Sequence, residues 1–187
     1  MSNCVQKAIL DRRSTRGFDG VALTEAELQN LIDAALASPS AMNRQPWHFA
    51  FVKDKAVLSE FNAAARAHML EHAPAPMKAR FEDPDYELLM GAPLFVVISA
   101  NAADEGFFTK IDCGIAVENL ALSAMGMGMG SVIVGMPREI FSSPAGARFK
   151  EKMGIPAENE YMVGILIGHN TVSKDAHPIE ENRFSVV

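Results

Sequence analysis

Residues 119–137 read NLALSAMGMGMGSVIVGMP and carry no Asp, Glu, Lys or Arg. The length of this segment approaches the roughly 20 apolar residues of a membrane-spanning helix. Four glycines and three polar side chains interrupt it, however, and such interruptions argue against a membrane span. We therefore interpret the segment as the buried end of a helix, a glycine turn and a buried strand at 131–134.

The sequence on either side of this segment predicts strands mixed with helices. The continuous apolar run at 94–100 is typical of a buried strand. Residues 104–125 predict a long helix that becomes apolar on nearly all sides after Gly114, and such a helix lies in the core or under another subunit. Two more strands are expected at 48–52 and 161–167.

The helices nearer the N-terminus have clear signals. Thr24 and Glu27 form a capping box that starts a second helix, and the apolar stripe of this helix ends at Leu36. Other helices are expected at 3–12, at 54–71 and as short pieces within 138–153. Residues 72–90 carry three prolines and show no clear period, so we expect a mobile loop or insertion there.

The order of these elements indicates the fold class. Helices come first and strands mixed with helices follow, without regular βαβ alternation. This order favours an α+β fold over a doubly wound sheet. The chain has 187 residues, which matches a single domain over residues 1–187.

The composition excludes several classes of protein. Lys and Arg total 17 against 23 Asp and Glu, a net charge of −6, so nucleic-acid binding is not expected. Cys4 and Cys113 cannot build a disulfide framework, and Cys113 is expected to be an inert core thiol. The N-terminal residues lack the apolar core of a signal peptide, so we expect a cytoplasmic protein without a membrane partner.

The segment RRSTR at 12–16 ends the first predicted helix. Its three guanidinium groups and two hydroxyl groups could hold a phosphate through charge-assisted hydrogen bonds. The alternative is a solvated cationic helix end that complements the helix dipole.

The segment SPSAMNRQPWHF at 38–49 joins a helix to a strand. Its prolines restrict the loop, while Ser40, Asn43 and Gln45 present hydrogen-bonding groups from it. Such a loop suits a planar heteroaromatic ligand, although an ordinary helix-to-strand connection is the alternative.

Two other motifs carry weaker signals. The glycine-rich segment at 126–131 closes a helix and leads into a strand, the reverse of a dinucleotide fingerprint, so Rossmann-type binding is excluded. His68, Glu71 and His72 match the H-x-x-E-H pattern of inverted zinc peptidases. That pattern needs a third ligand from elsewhere, so a zinc hydrolase is a minor alternative to a solvated helix end.

Jointly, RRSTRGF at 12–18, SPSAMNRQPWHF at 38–49 and GMGMGSVIVGMP at 126–137 resemble the nitroreductase family of FMN-dependent oxidoreductases. GILIGH at 164–169 and Arg183 complete the resemblance. It implies a mixed α/β sandwich with a central, mostly antiparallel sheet flanked by helices. It also implies a homodimer of intertwined subunits with one FMN in each of two interface clefts.

The resemblance also implies which side chains hold the cofactor. Arg12, Arg16 and Arg183 would bind the phosphate, and Arg13 and Ser14 would reach the flavin or its ribityl chain. Two negative phosphate charges in a partly buried cleft need several fixed cations, which agrees with this assignment.

A further set of contacts is implied to come from the neighbouring subunit. Its loop would contribute Pro39, Ser40 and Asn43 to the flavin, with Gln45 as an additional contact. Asn43 offers both a donor and an acceptor for the pyrimidine edge of the ring.

Backbone groups near Val132, Val134 and Gly135 are implied to line the ring, with one amide donating to the flavin atom N5. Two departures from the family pattern stand out. Many relatives carry an acidic residue at the position of Val134, and many carry Lys at the position of Glu181.

The implied activity is ping-pong hydride transfer from NADH or NADPH, through FMN, to a small-molecule acceptor such as a nitroaromatic or a quinone. The flavin atom N5 carries the hydride, so no catalytic side chain is assigned. The alternative is a flavin-binding protein with a non-nicotinamide role, such as storage, sensing, dehalogenation or flavin cleavage.

Overall fold

The computed structural model describes residues 4–101, 103, 106–176 and 178–187. The strands are β1 (Trp47–Val52), β2 (Leu94–Asn101), β3 (Gly130–Val134) and β4 (Asn159–Gly168). The helices are α1 (Cys4–Asp11), α2 (Glu25–Leu36), α3 (Lys55–His72), α4 (Ala75–Glu82), α5 (Phe107–Gly126), α6 (Pro137–Phe141) and α7 (Gly146–Lys152). A short 3₁₀ turn covers Ala41–Asn43.

The four strands form one antiparallel sheet in the order β1-β2-β4-β3. β2 and β4 occupy its centre, so β1 and β3 are its edge strands. Seven of the eight residues of β2 are buried. Helices therefore cover both faces of the sheet, which explains the unbroken apolar run at 94–100.

Two clusters of buried side chains separate the sheet from the helices. On one face, Phe61 of α3 and Phe149 of α7 pack with Phe95 of β2. On the other face, Leu31 of α2 and Leu120 of α5 belong to a second cluster with alternate β2 residues. Alternate side chains of a strand point to opposite faces of a sheet, so β2 contributes to both clusters.

The predicted α+β class and the antiparallel sheet agree with this architecture. The helix predicted at 104–125 is α5, although residues 104 and 105 lie outside the described residues. The helix predicted at 3–12 is α1, and Asn3 also lies outside them. The short helical pieces expected within 138–153 are α6 and α7.

The structure corrects the expectation of a loop at 72–90. Residues 75–82 form α4, and Phe81, Leu88 and Leu89 of this segment are buried. Pro74 stands immediately before α4 and Pro76 lies in its first turn, where a helix needs no backbone N–H donor. Two of the three prolines therefore start a helix instead of excluding one, while mobility of the segment stays a prediction.

The capping box of α2 is present in full. The Thr24 hydroxyl accepts a hydrogen bond from the Glu27 N–H at 3.2 Å, and the Glu27 carboxylate accepts one from the Thr24 N–H at 2.7 Å. The bond from the Thr24 backbone lowers the pKa of Glu27. A lowered pKa in the folded state adds stability above the ordinary pKa of a glutamate, and this stability is lost as the pH falls through the lowered value.

We expect Thr24→Ala to lower the free energy of unfolding by about 1 kcal/mol, because it removes an N-cap acceptor. Urea unfolding at neutral pH measures this change. Ser59→Ala removes an exposed hydroxyl from α3 and is the matched control, with an expected change within about 0.5 kcal/mol. Equal unfolding midpoints for the two variants would contradict the capping role.

None of the helices in the described part of the chain combines the length and the apolarity needed to cross a membrane. The interpretation of residues 119–137 as a helix end, a glycine turn and a strand is therefore correct, since α5 ends at Gly126 and β3 begins at Gly130.

Candidate functional site

The outer edge of β3 is joined to the segment that follows α1. Ser14 forms a parallel bridge with Ser131, and the Thr15 N–H donates to the Ser131 carbonyl at 2.8 Å. A Cβ atom at Gly130 would come within 2.8 Å of the Thr15 hydroxyl, so glycine is needed for this close approach. The cationic segment predicted to bind phosphate is thereby fixed beside β3.

A cationic cavity of about 230 Å³ lies at the start of β3. Arg12, Arg13 and Lys174 line it together with Ser131 and Thr15. The lining also includes Asp11 and Ser173, so its side chains carry three positive charges, one negative charge and three hydroxyl groups. The net charge of the lining is therefore positive, which suits a small anion such as a phosphate.

The two arginines of this cavity have different environments. Arg12 is half-buried, with its side chain 27% exposed, and its Nε atom lies 3.5 Å from the Glu118 carboxylate. Arg13 donates through Nη1 to the carbonyl groups of Leu10 and Arg12, each at 2.7 Å. Arg13 therefore also satisfies backbone acceptors at the end of α1.

Sequence reasoning missed Lys174. The tertiary structure brings it to the cavity because the Thr171 N–H donates to the Gly17 carbonyl at 3.1 Å, which fixes the chain after β4 beside the RRSTR segment. No local pattern around position 174 indicates this contact.

A second cavity, of about 500 Å³, lies beyond the other end of β3. Gly135 and Met136, which follow β3, line it together with Met69 and His72 of α3 and Met77 of α4. An added Cβ at Gly135 would meet no atom within 4 Å, so the backbone here is open to a ligand. The lining is mostly apolar, with His68, His72 and Glu139 as its polar members, and a cavity of this size suits a planar aromatic group.

His68 also lines this cavity, and its ring centroid lies 4.6 Å from that of His72. The third member of the H-x-x-E-H motif, Glu71, has a carboxylate oxygen 3.6 Å from His72 Nε2. Across the described residues, no group of three or more His, Cys, Asp or Glu side chains could hold a metal ion. The zinc-hydrolase alternative therefore finds no third ligand in the described part of the protein.

The loop at 38–45 is held in a defined conformation. Met42, Asn43 and Gln45 have positive φ angles, of 53°, 54° and 48°. The Ser40 hydroxyl accepts from the Gln45 N–H at 2.9 Å, and the Asn43 side-chain oxygen accepts from Gln45 Nε2 at 3.0 Å. Non-glycine residues in this backbone region are strained and cluster at ligand-binding sites.

This loop lies against α5, where the Asp112 carboxylate accepts from the Ala41 N–H at 3.1 Å. Within the part of the chain that the structure describes, neither cavity includes Pro39, Ser40, Asn43 or Gln45 in its lining. One chain therefore does not bring the loop and the cationic segment to the same cavity.

The structure places the other predicted site residues as follows. Arg16 is exposed, and its Nη1 lies 3.4 Å from the Ser14 carbonyl. Arg183 lies on the exposed C-terminal segment, where it pairs with Glu180. Of the three arginines expected to bind phosphate, only Arg12 lines the cationic cavity. Val132 and Val134 are buried within β3, so they can offer a ligand only backbone groups.

Cys113 is buried in α5, as expected for a core thiol, and burial raises its pKa to about 12. It remains a neutral thiol at physiological pH and is therefore a poor nucleophile.

The fold and these two cavities define a class of protein. A three-layer α+β sandwich carries a cationic cavity at one end of an edge strand and an apolar cavity at the other. The strand between them has five residues, or roughly 17 Å at the usual rise per residue. Such a site suits an elongated ligand with a phosphate at one end and an aromatic ring at the other.

The model of the Nitroreductase family matches residues 9–169 of the sequence. The match covers most of the chain, and the chain therefore belongs to the nitroreductase family. This membership confirms the resemblance read from the three motifs and the prediction of an oxidoreductase.

Individual relatives agree with the family. One relative, from Archaeoglobus fulgidus, is named provisionally as an NADH dehydrogenase/NAD(P)H nitroreductase. It is 29% identical to this chain, and the alignment covers 99% of this chain and 95% of the relative. The NADPH-flavin oxidoreductase of Vibrio harveyi is 26% identical, over 98% of this chain and 75% of its own. The crystal structure of a nitroreductase with bound FMN from Desulfitobacterium hafniense superposes with a TM-score of 0.92 at 28% identity, covering 100% of both chains. This superposition confirms the predicted fold class.

Proposed function

We propose that this protein is an FMN-dependent oxidoreductase that uses NADH or NADPH to reduce nitroaromatic or quinone-like acceptors. The observation that carries the proposal is the arrangement along β3, with cations at its start and an open, apolar cavity at its end. FMN has the matching chemistry, since a phosphate and an aromatic ring system stand at its two ends. The FMN-bound relative and the names of the other relatives support this cofactor and these electron donors.

The residues of the cationic cavity fit the phosphate of FMN. Arg12 and Arg13 would hold it through charge-assisted hydrogen bonds, with Lys174 as a further point charge. The Thr15 and Ser131 side chains, both buried, offer hydroxyl groups at the same place. Arg16 and Arg183 stay predicted contacts, because one chain alone does not bring them to this cavity.

When bound, FMN supplies the group that accepts hydride from NADH or NADPH and passes electrons to the acceptor. The chain's own part is binding, orientation and exclusion of water. Met69, Met77 and Met136 give the larger cavity a soft apolar lining that accommodates aromatic groups of different shape. We propose that donor and acceptor occupy this cavity in turn, which is the ping-pong order.

A second subunit would complete the site. Within the described residues, the loop at 38–45 lines neither cavity of its own chain, so the flavin would lack the walls that this loop can offer. We propose that the loop of the neighbouring subunit provides them through Pro39, Ser40 and Asn43, with Gln45 as an additional contact.

The exposed face of α5 supports this dimer. Four apolar side chains at positions i, i+1, i+4 and i+8 form a stripe there, and Phe107 is 79% exposed; they are Phe107, Phe108, Ile111 and Ile115. Gly114, on the same helix, has room for close approach, since an added Cβ would meet no atom within 4 Å. An exposed apolar stripe of this kind marks a protein interface.

The test of this function is an anaerobic titration of the FMN-reconstituted protein. We expect stoichiometric FMN binding, bleaching of the flavin absorbance by NADH or NADPH, and its return on addition of a nitroaromatic or a quinone. Initial rates should give parallel double-reciprocal lines. Arg148→Ala changes a residue that lines neither cavity and pairs with Glu60, so it is the control variant and should titrate like the wild type. Tight FMN binding without bleaching by either donor would instead favour a flavin-binding protein with a non-nicotinamide role.

A further inference from the structure

Tyr161 of β4 has a buried hydroxyl group that donates to the carbonyl of Val134, the last residue of β3. Its ring is stacked on Phe141, with centroids 5.3 Å apart and an interplanar angle of 14°. An added Cβ at Gly164 would come within 2.7 Å of the Tyr161 hydroxyl, so a glycine keeps the space that this group occupies. The local sequence and packing therefore hold the hydroxyl against this one carbonyl.

The Tyr161 hydroxyl remains protonated over the physiological pH range. Burial raises its pKa well above the ordinary value of a tyrosine, and the nearby Gly164 backbone opposes the rise only in part. The group is therefore a permanent hydrogen-bond donor to Val134.

The Val134 carbonyl and the Gly135 N–H belong to the same peptide group. The described part of the chain has no cis peptide bond, so these two groups point in opposite directions. Tyr161 holds the Val134 carbonyl from the β4 side, so the Gly135 N–H is held pointing to the opposite side. A hydrogen bond to the carbonyl oxygen also polarises the amide and strengthens its N–H as a donor.

Gly135 lines the larger cavity, and the space around its Cα is open. We propose that Tyr161 is a positioning residue that orients and polarises the Gly135 N–H, so that this amide donates to the flavin ring at the end of β3. The proposal rests on the proposed function, because it requires FMN at this site. A tyrosine that only filled the core would need no contact with this peptide.

The first test compares Tyr161→Phe with Tyr86→Phe. The chain has two tyrosines, so the control makes the same chemical change at the other one, which packs against Phe81. We expect the potential of bound FMN to become more negative only in Tyr161→Phe, because the ring carbonyl oxygen beside N5 becomes a stronger acceptor on reduction and a weaker donor to it stabilises the reduced ring less. Reduction by NADH or NADPH should also slow by about threefold to tenfold.

A second readout does not require the cofactor. In FMN-free protein labelled with ¹⁵N-glycine, the Gly135 signal is identified by its loss in Gly135→Ala. We expect its amide proton to move upfield in Tyr161→Phe, since the peptide loses its polarising partner, and to stay in place in Tyr86→Phe. An unchanged Gly135 signal would overturn the polarisation.

Fluorinated tyrosine covers the case in which Tyr161→Phe fails to fold. In a Tyr86→Phe background Tyr161 is the sole tyrosine, so uniform incorporation of mono- or difluorotyrosine changes this phenol alone. A more acidic phenol is a stronger donor, and the potential of bound FMN should become more positive with each fluorine. A potential that does not follow phenol acidity would overturn the proposal and leave the proposed function intact. Failure of the wild type to bind FMN would instead remove the proposed function itself.

Discussion

Arg12→Ala is expected to weaken FMN binding by at least about 30-fold, because loss of a buried, hydrogen-bonded partner of a charged group costs about 2–5 kcal/mol. Arg12 is the predicted phosphate ligand that lines the cationic cavity, and its side chain is half-buried. The variant also removes Arg12 as the partner of the Glu118 carboxylate, and this negative charge would then repel the phosphate of FMN. Both effects oppose phosphate binding.

Fluorescence titration with FMN and with riboflavin measures the effect. Riboflavin lacks the phosphate, so its affinity should change little in Arg12→Ala. Glu118→Gln is the matched control, since it keeps Arg12 and removes the competing carboxylate, and its FMN affinity should be equal or higher. Equal losses of affinity for FMN and for riboflavin would show that the phosphate binds elsewhere.

A heterodimer of Asn43→Ala with Arg12→Ala is expected to recover one FMN site with near-wild-type affinity. The reason is that each site would combine the cationic segment of one chain with the loop of the other. One site of the heterodimer would then hold both wild-type residues, and the other would hold both substitutions. Each homodimer should bind weakly at both sites, since an unpaired flavin carbonyl costs about 1–3 kcal/mol.

Differently tagged chains allow the heterodimer to be purified and titrated with FMN. Two equally weakened sites would show that both residues act within one chain. An Asn43→Ala homodimer that binds FMN like the wild type would show that the loop is not part of the site. Sedimentation of the wild type is the control, since a stable FMN-bound monomer would contradict the shared site.

Much of the fold could be predicted from residues that are close in sequence. The capping box of Thr24 and Glu27 starts α2 where expected, and the apolar run at 94–100 is the central strand β2. Gly126 ends α5, Gly128 lies in the turn and Gly130 begins β3, as the glycine-rich segment predicts. These features depend on hydrogen bonds and periodicities that span only a few residues, so a linear pattern contains them.

The segment at 72–90 shows where linear reasoning was insufficient. Its prolines obscured α4, whose eight residues carry little apolar pattern beyond the buried Phe81. α4 packs in the same cluster as α3, and this burial outweighs the weak local preference for a helix.

The features of the site also fall into two groups, those that the sequence determines and those that the tertiary structure decides. The sequence by itself determined that three arginines stand together at 12–16, that a proline-restricted polar loop follows α2 and that Gly135 follows β3. Only the tertiary structure decided that Ser14 pairs with Ser131, that Lys174 joins the cationic cavity and that Tyr161 donates to Val134. Each of these contacts joins segments far apart in the chain, and none follows from local propensity. They exist because the order β1-β2-β4-β3 places β3 between β4 and the segment after α1, and strand order is set by packing of the whole sheet against its helices.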